Sequence, residues 1–97
     1  DLADLQAVER DFAFVLDAGV PAHDVVAAAQ GAEKTLIEEV RVFDEFVGGS
    51  LGDGRKSLAI TVRLQPRDRT LTDAEIEEVG RAVVAKVETA TGGVLRG

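Results

Sequence analysis

The residue order predicts an α+β fold, a four-stranded antiparallel sheet with two helices on one face. Three observations predict it. Three stretches alternate apolar and polar side chains with period two, as strands covered on one side do. Two others repeat apolar residues at helical spacing, one behind a capping signal. Glycine-rich or proline-marked turns separate them in the order strand, helix, strand, strand, helix, strand.

Val8 to Asp17 reads VERDFAFVLD. Phe12, Phe14 and Leu16 alternate there with Asp11, Ala13 and Val15, which predicts the first strand. Ala18-Gly19-Val20 turns the chain. Pro21 suits the first turn of a helix, where its missing N–H is no loss. Ala22, Val25, Val26 and Ala29 follow at helical spacing, and Gly31 is the stop signal. Leu36 to Val47 predicts the second strand, with Val40 and Val42 facing one way and Glu39, Arg41 and Phe43 the other. Its pattern falters near Phe43-Asp44, which suggests a bulge. Gly48 to Gly54 is a glycine-rich loop.

Lys56 to Gln65 has the cleanest alternation: Leu58, Ile60, Val62 and Leu64 against Ser57, Ala59, Thr61, Arg63 and Gln65. Thr72-Asp73-Ala74-Glu75 is a capping box, flanked by Leu71 and Ile76 as a hydrophobic staple. Ile76, Val79, Val83, Val87 and Ala90 fall on one helical stripe. Gly92-Gly93 ends that helix, and Val94-Leu95-Arg96 adds a short edge strand. The resulting βαββαβ order is the split-βαβ, ferredoxin-like arrangement, in one domain spanning residues 1–97.

The composition is that of an ordinary soluble domain, too short for two cores. No apolar run approaches the ~20 residues needed to cross a bilayer. Asp1 and Asp4 stand where a signal peptide would need bases. The absence of cysteine excludes disulfide and thiolate chemistry and suits the cytoplasm. The net charge of −7 is unevenly spread. Between Gly54 and Leu71, Arg55, Lys56, Arg63, Arg67 and Arg69 face one acid, Asp68, so that stretch is +4 and the remainder −11. Such a strip suits phosphate contact at one place on an acidic body; from charge alone, chance clustering of surface charge is the favoured reading.

Enzymatic constellations are missing. Gly49 and Gly54 have phosphate-loop spacing, but Arg55 stands where the lysine belongs, and the loop leads into a strand instead of a helix. His23 is the only histidine and has no metal-ligand or nucleophile partner in the pattern. Glu38 and Glu39 are adjacent in a strand and are expected on opposite faces, while Glu77 and Glu78 lie on the polar side of a helix. Neither pair has the shared shelter that acid–base catalysis needs.

What remains is the sheet face away from the helices. It is expected to show Ala13, Val15, Arg41, Phe43, Ser57, Ala59, Thr61 and Arg63. The central strands contribute small side chains, with Arg41, Phe43 and Arg63 rising around them. Unstacked bases fit such a surface, held by arginine planes and one aromatic. A merely solvent-facing or partner-facing sheet is the alternative.

Four ordered segments carry a family resemblance: Ala7-Val8-Glu9-Arg10-Asp11, Glu39-Val40-Arg41-Val42-Phe43-Asp44, Gly54-Arg55-Lys56-Ser57-Leu58-Ala59 and Arg69-Thr70-Leu71-Thr72-Asp73. At this spacing, from about Gln6 to Arg96, the chain resembles the ferredoxin-fold anticodon-binding domain that ends the β subunit of bacterial phenylalanine–tRNA ligases. It departs from that family at Gln6, where proline is common. The resemblance implies a tRNA-binding module that recognises the anticodon stem-loop of phenylalanine tRNA, cut from the end of a longer chain. It implies partners in the rest of the β subunit and an α subunit, in an αβ heterotetramer. Catalysis, ATP and Mg²⁺ belong to that parent; no cofactor and no catalytic residue are expected here. Candidate RNA-binding residues are Arg41, Phe43 and Arg63 on the open face, with Arg55, Lys56 and Ser57 at the end of the glycine loop. The alternative of a different class is an ACT-like amino-acid-sensing domain, for which Gly19 is the only candidate ligand turn. An acylphosphatase-like enzyme of similar topology lacks a basic phosphate cradle at Ala18-Gly19-Val20.

Overall fold

A computed structural model describes residues 5–96. Its elements are β1 (Val8–Asp17), α1 (Ala22–Gln30), β2 (Ile37–Val47), β3 (Arg55–Leu64), α2 (Asp73–Thr91) and β4 (Val94–Leu95). The sheet order is β2-β3-β1-β4, and every neighbouring pair is antiparallel. β1 and β3 are therefore central, as the ferredoxin-like order requires.

Alternation along β1 and β3 sorts their side chains between two faces. Phe14 and Leu16 pair with Leu58 and Lys56, and Phe12 pairs with Ile60. Phe14, Leu16, Leu58, Ile60, Val62 and Leu64 are almost wholly buried on the helix side. Val25 and Ala29 of α1 and Val83 and Val87 of α2 close over them. α1 packs on β2 and β3, α2 on β1 and β4, and the helices touch each other. Burying each such Val, Leu, Ile or Phe contributes about 1.5–3 kcal/mol, so this face holds the fold together.

Local signals set the helix ends. The Thr72 hydroxyl accepts from the Glu75 N–H at 3.1 Å, and the Glu75 carboxylate accepts from the Thr72 N–H at 2.9 Å. The capping box is thus complete. α2 stops at Gly92, whose φ of 74° favours glycine. Pro21 lies one position earlier than expected: it is the N-cap of α1 in extended conformation, outside the first turn. Ala90 is exposed and lies outside the core, while Val84 is partly buried against that core. The Glu33 carboxylate accepts backbone N–H bonds from Thr35, Leu36 and Ile37 and aims the chain into β2.

β2 carries two bulges. Register shifts fall between Ile37 and Glu39 and between Val42 and Asp44, so Glu38 and Phe43 are extra residues against β3. The second lies where the sequence pattern falters. The first corrects the expectation that Glu38 and Glu39 face opposite ways, since both bond to arginines of the open face.

Candidate functional site

No helix covers the other side of the sheet. Strand pairing arranges that face in four cross-strand rows, each with a β3 residue between one of β1 and one of β2. Val15, Ser57 and Phe46 form the first row. Ala13 and Ala59 form the second with the bulged pair Phe43 and Asp44. Asp11, Thr61 and Arg41 form the third, and Glu9, Arg63 and Glu38-Glu39 the fourth. Rows two residues apart are about 6.7 Å apart.

The middle of the face is low. Ser57, Ala59 and Thr61 are less than a tenth exposed although no helix covers them. Short side chains between taller neighbours make a shallow trough. Phe43 (54% exposed) and Phe46 (51%) stand along its β2 side. The Phe46 ring also lies against the glycine loop: a Cβ on Gly49 would come within 3.4 Å of it. The φ of 62° at Gly49 likewise disfavours any side chain there.

The fourth row, with Arg41 of the third, is a charged network. The Arg63 Nε donates to Glu38 Oε1 at 2.8 Å, and its Nη1 donates to Glu9 Oε2 at 3.2 Å. The Glu38 hydrogen bond first, then that of Glu9, holds the Arg63 guanidinium even more firmly protonated than usual. Arg41 Nη1 donates to Glu39 Oε1 at 3.3 Å and lies 3.7 Å from Glu9. Next to it the Thr61 hydroxyl donates to Asp11 at 2.8 Å. Two arginines thus meet three glutamates, a local balance of −1.

The structure brings together Arg41, Phe43, Ser57 and Arg63. Arg55 stands on the same side at the loop end of β3, with no ion pair among the described residues. Lys56 is not part of this group. It shares the helix-side face with its partner Leu16, is 4% exposed, and donates to Glu45 at 2.7 Å. Its role as a phosphate contact at the loop end is therefore withdrawn: its ammonium is turned from solvent and already paired.

The basic strip of the sequence is likewise not a basic patch in space. Arg67 donates to the Thr35 carbonyl, and Arg69 makes a bidentate pair with Glu75. That pair, with the Thr72 N–H, lowers the Glu75 carboxyl to about 2. Sequence reasoning missed Phe46, Glu9, Asp11 and Glu38 on the open face. Glu9 and Asp11 share parity with Ala13 and were readable from alternation alone. Phe46 follows from the bulge read near Phe43-Asp44 once its parity shift is carried forward, whereas the bulge at Glu38 has no signal in the sequence.

A cavity of about 790 Å³ opens elsewhere, between β1 and α2, lined by Arg10, Phe12, Ile76, Gly80, Arg81 and Val84 among others. β4 pairs only with Phe14 and Val15, which leaves the neighbouring edge of β1 open among the described residues. No group of His, Cys, Asp and Glu suited to a metal ion occurs among the described residues, and no helix there is long and apolar enough to cross a membrane.

Comparison with known proteins adds an independent line. The family model described as "ferredoxin-fold anticodon binding domain" matches residues 3–96. The chain is 69% identical over 96 residues to the phenylalanine–tRNA ligase beta subunit of Ruegeria pomeroyi, covering 99% of this chain and 12% of that one. It is 64% identical over 100 residues to the same-named protein of Cereibacter sphaeroides and 55% identical over 92 residues to that of Brucella abortus. These alignments cover 99% and 95% of this chain, and 12% and 11% of those proteins. The chain thus spans about an eighth of the length of these relatives. The amino-acid-sensing alternative finds no support in these matches.

Proposed function

The chain belongs to the family of ferredoxin-fold anticodon-binding domains, and from that premise we propose that it recognises the anticodon stem-loop of phenylalanine tRNA through its open sheet face, on behalf of a phenylalanine–tRNA ligase. Its parent is then a β subunit that works with an α subunit in an αβ heterotetramer in the cytoplasm. Amino-acid activation and its ATP and Mg²⁺ belong to that parent; this domain is a binding domain and not a catalytic one.

One observation carries the reading: the trough over Ser57, Ala59 and Thr61, walled by two half-exposed phenylalanines and closed by two arginines. Bases need flat, low surfaces with aromatic or guanidinium planes beside them. The row spacing adds a constraint. Bases stacked as in a duplex follow one another at about 3.4 Å per strand. Successive rows are about twice as far apart. Bases that occupy neighbouring rows must therefore be unstacked from each other, as in a loop and not in a stem.

The test uses the intact ligase and the anticodon stem-loop beside a scrambled loop. Arg41→Ala, Phe43→Ala and Arg63→Ala together should weaken stem-loop binding and leave phenylalanine activation unchanged. Lys86→Ala, on the helical side, should change neither. Wild-type affinity in the triple variant would contradict the open-face site.

A further inference from the structure

We infer that Arg63 offers the RNA the flat face of its guanidinium as a stacking plane for one base, and that Glu38 and Glu9 are the positioning residues that hold that plane. The inference rests on the open-face reading and adds what kind of contact is made at the charged end of the trough.

Three observations carry it. First, Arg63 is central: it is paired across strands with Glu9 of β1 and Glu39 of β2. Second, its guanidinium is held from both sides, at Nε by Glu38 of β2 and at Nη1 by Glu9 of β1. Hydrogen bonds to a guanidinium lie in its plane. Two of them, to strands on either side of β3, restrain its rotation, while the side chain remains 39% exposed. The π faces carry no hydrogen-bonding function and stay available for a base. Third, the charge is already answered. With Arg41 of the third row and Arg63 of the fourth set against Glu9, Glu38 and Glu39, this end of the face is net negative. A phosphate brought there meets two contacting carboxylates for its one arginine. Like charges a few ångströms apart repel, and the effect is strongest where water is partly excluded. A neutral base meets no such penalty.

The bulge at Glu38 makes this arrangement possible. An unbulged strand would send Glu38 and Glu39 to opposite faces. The extra residue puts both on the open side, one for each arginine. Glu9 serves both arginines from the other strand.

A stacking plane and a phosphate contact differ in sign and in rescue. Binding of the anticodon stem-loop to the intact ligase is measured over a range of salt, with thermal melts on every variant. Arg63→Ala should weaken binding roughly tenfold, the scale of one lost base stack, without changing the salt slope. Arg63→Lys should be as weak as Arg63→Ala, because an ammonium has the charge but no plane. Glu38→Ala should weaken binding several-fold although it removes a negative charge from the RNA-facing surface. Glu38→Gln, which keeps an acceptor oxygen for Nε, should recover most of that loss.

Rescue by Arg63→Lys, with a salt slope reduced by about 0.7 in Arg63→Ala, would make Arg63 a phosphate contact and overturn the inference. Tighter binding by Glu38→Ala would do the same. If Arg63→Ala is silent while Phe43→Ala and Phe46→Ala weaken binding, this inference fails and the open-face reading stands. If all of these are silent, both fail.

Discussion

The two faces of β3 are built from alternate residues of one strand, and they are buried for different reasons. Leu58, Ile60, Val62 and Leu64 are buried because two helices cover them. Ser57, Ala59 and Thr61 are nearly as buried with no helix above, flanked on β2 by the longer side chains of Phe46, Phe43 and Arg41. One face is closed by packing and holds the fold; the other is a depression whose floor is shielded but whose opening is free. Low exposure alone does not separate core from site, whereas the identity of the covering element does.

The largest expected effect separates the faces by stability. Ile60→Ala, fully buried under the helices, should cost about 2–5 kcal/mol through lost burial and a cavity. Its neighbour Thr61→Val exchanges only the hydroxyl for a methyl and loses the bond to Asp11, worth about 1 kcal/mol. Urea unfolding of both variants measures the difference; equal losses would mean that the open face is core as well.

The covered face was legible because its signal is local and redundant. Strict alternation from Leu58 to Leu64 and the apolar spacing of Val79, Val83 and Val87 each indicate the same side. β1 has the expected bounds, Val8–Asp17, and the capping box at Thr72 forms as its residue types require. The open face was only partly legible, because its composition depends on how β2 meets β3. A bulge is a mismatch of count between two strands; the pattern of β2 announced the one at Phe43-Asp44 but not the one at Glu38, and the parity shift beyond Asp44 was not followed to Phe46. Hence Phe46 and Glu38 escaped notice, while Arg41 and Phe43, read before or at the second bulge, lie on the expected side. Lys56 was misplaced for another reason. It begins the alternation and shares parity with Leu58, and loop proximity outweighed that parity.

Lys56 sharpens the comparison at its boundary. A buried lysine paired with one glutamate contributes little net stability, because desolvation offsets the attraction. Because Glu45 is 42% exposed and water solvates it once it is unpaired, Lys56→Met should leave stability within about 1 kcal/mol of wild type and leave stem-loop affinity unchanged. A marked loss of RNA affinity in that variant would return Lys56 to the binding surface.

Smaller effects are expected at the capping box, which serves the covered face alone. Thr72→Ala should cost about 1 kcal/mol with no change in RNA binding. The Glu75 carboxyl, lowered to about 2 chiefly by Arg69, titrates below its unfolded value. Its stabilising contribution is complete above the unfolded carboxylate range and is lost as pH falls toward 2. Arg69 stays protonated throughout. Melting temperatures should therefore decline more steeply between about pH 4.5 and pH 2 in wild type than in Glu75→Gln, whose bond to Arg69 does not titrate. Identical profiles would remove Glu75 from the acid response.

The most direct test of the central claim follows methyl groups, which lie on both faces of this small domain. Ala13, Val15, Ala59 and Thr61 carry methyls on the open face, while Ala85 and Ala90 carry them on the exposed side of α2. Methyl NMR spectra of the domain, whose core is built from its own residues, are recorded as the phenylalanine tRNA anticodon stem-loop is added. The open-face account predicts that the signals of Ala13, Val15, Ala59 and Thr61 shift in a saturable, salt-sensitive way while those of Ala85 and Ala90 stay in place. Shifts at Ala85 and Ala90, with the sheet methyls unmoved, would contradict it.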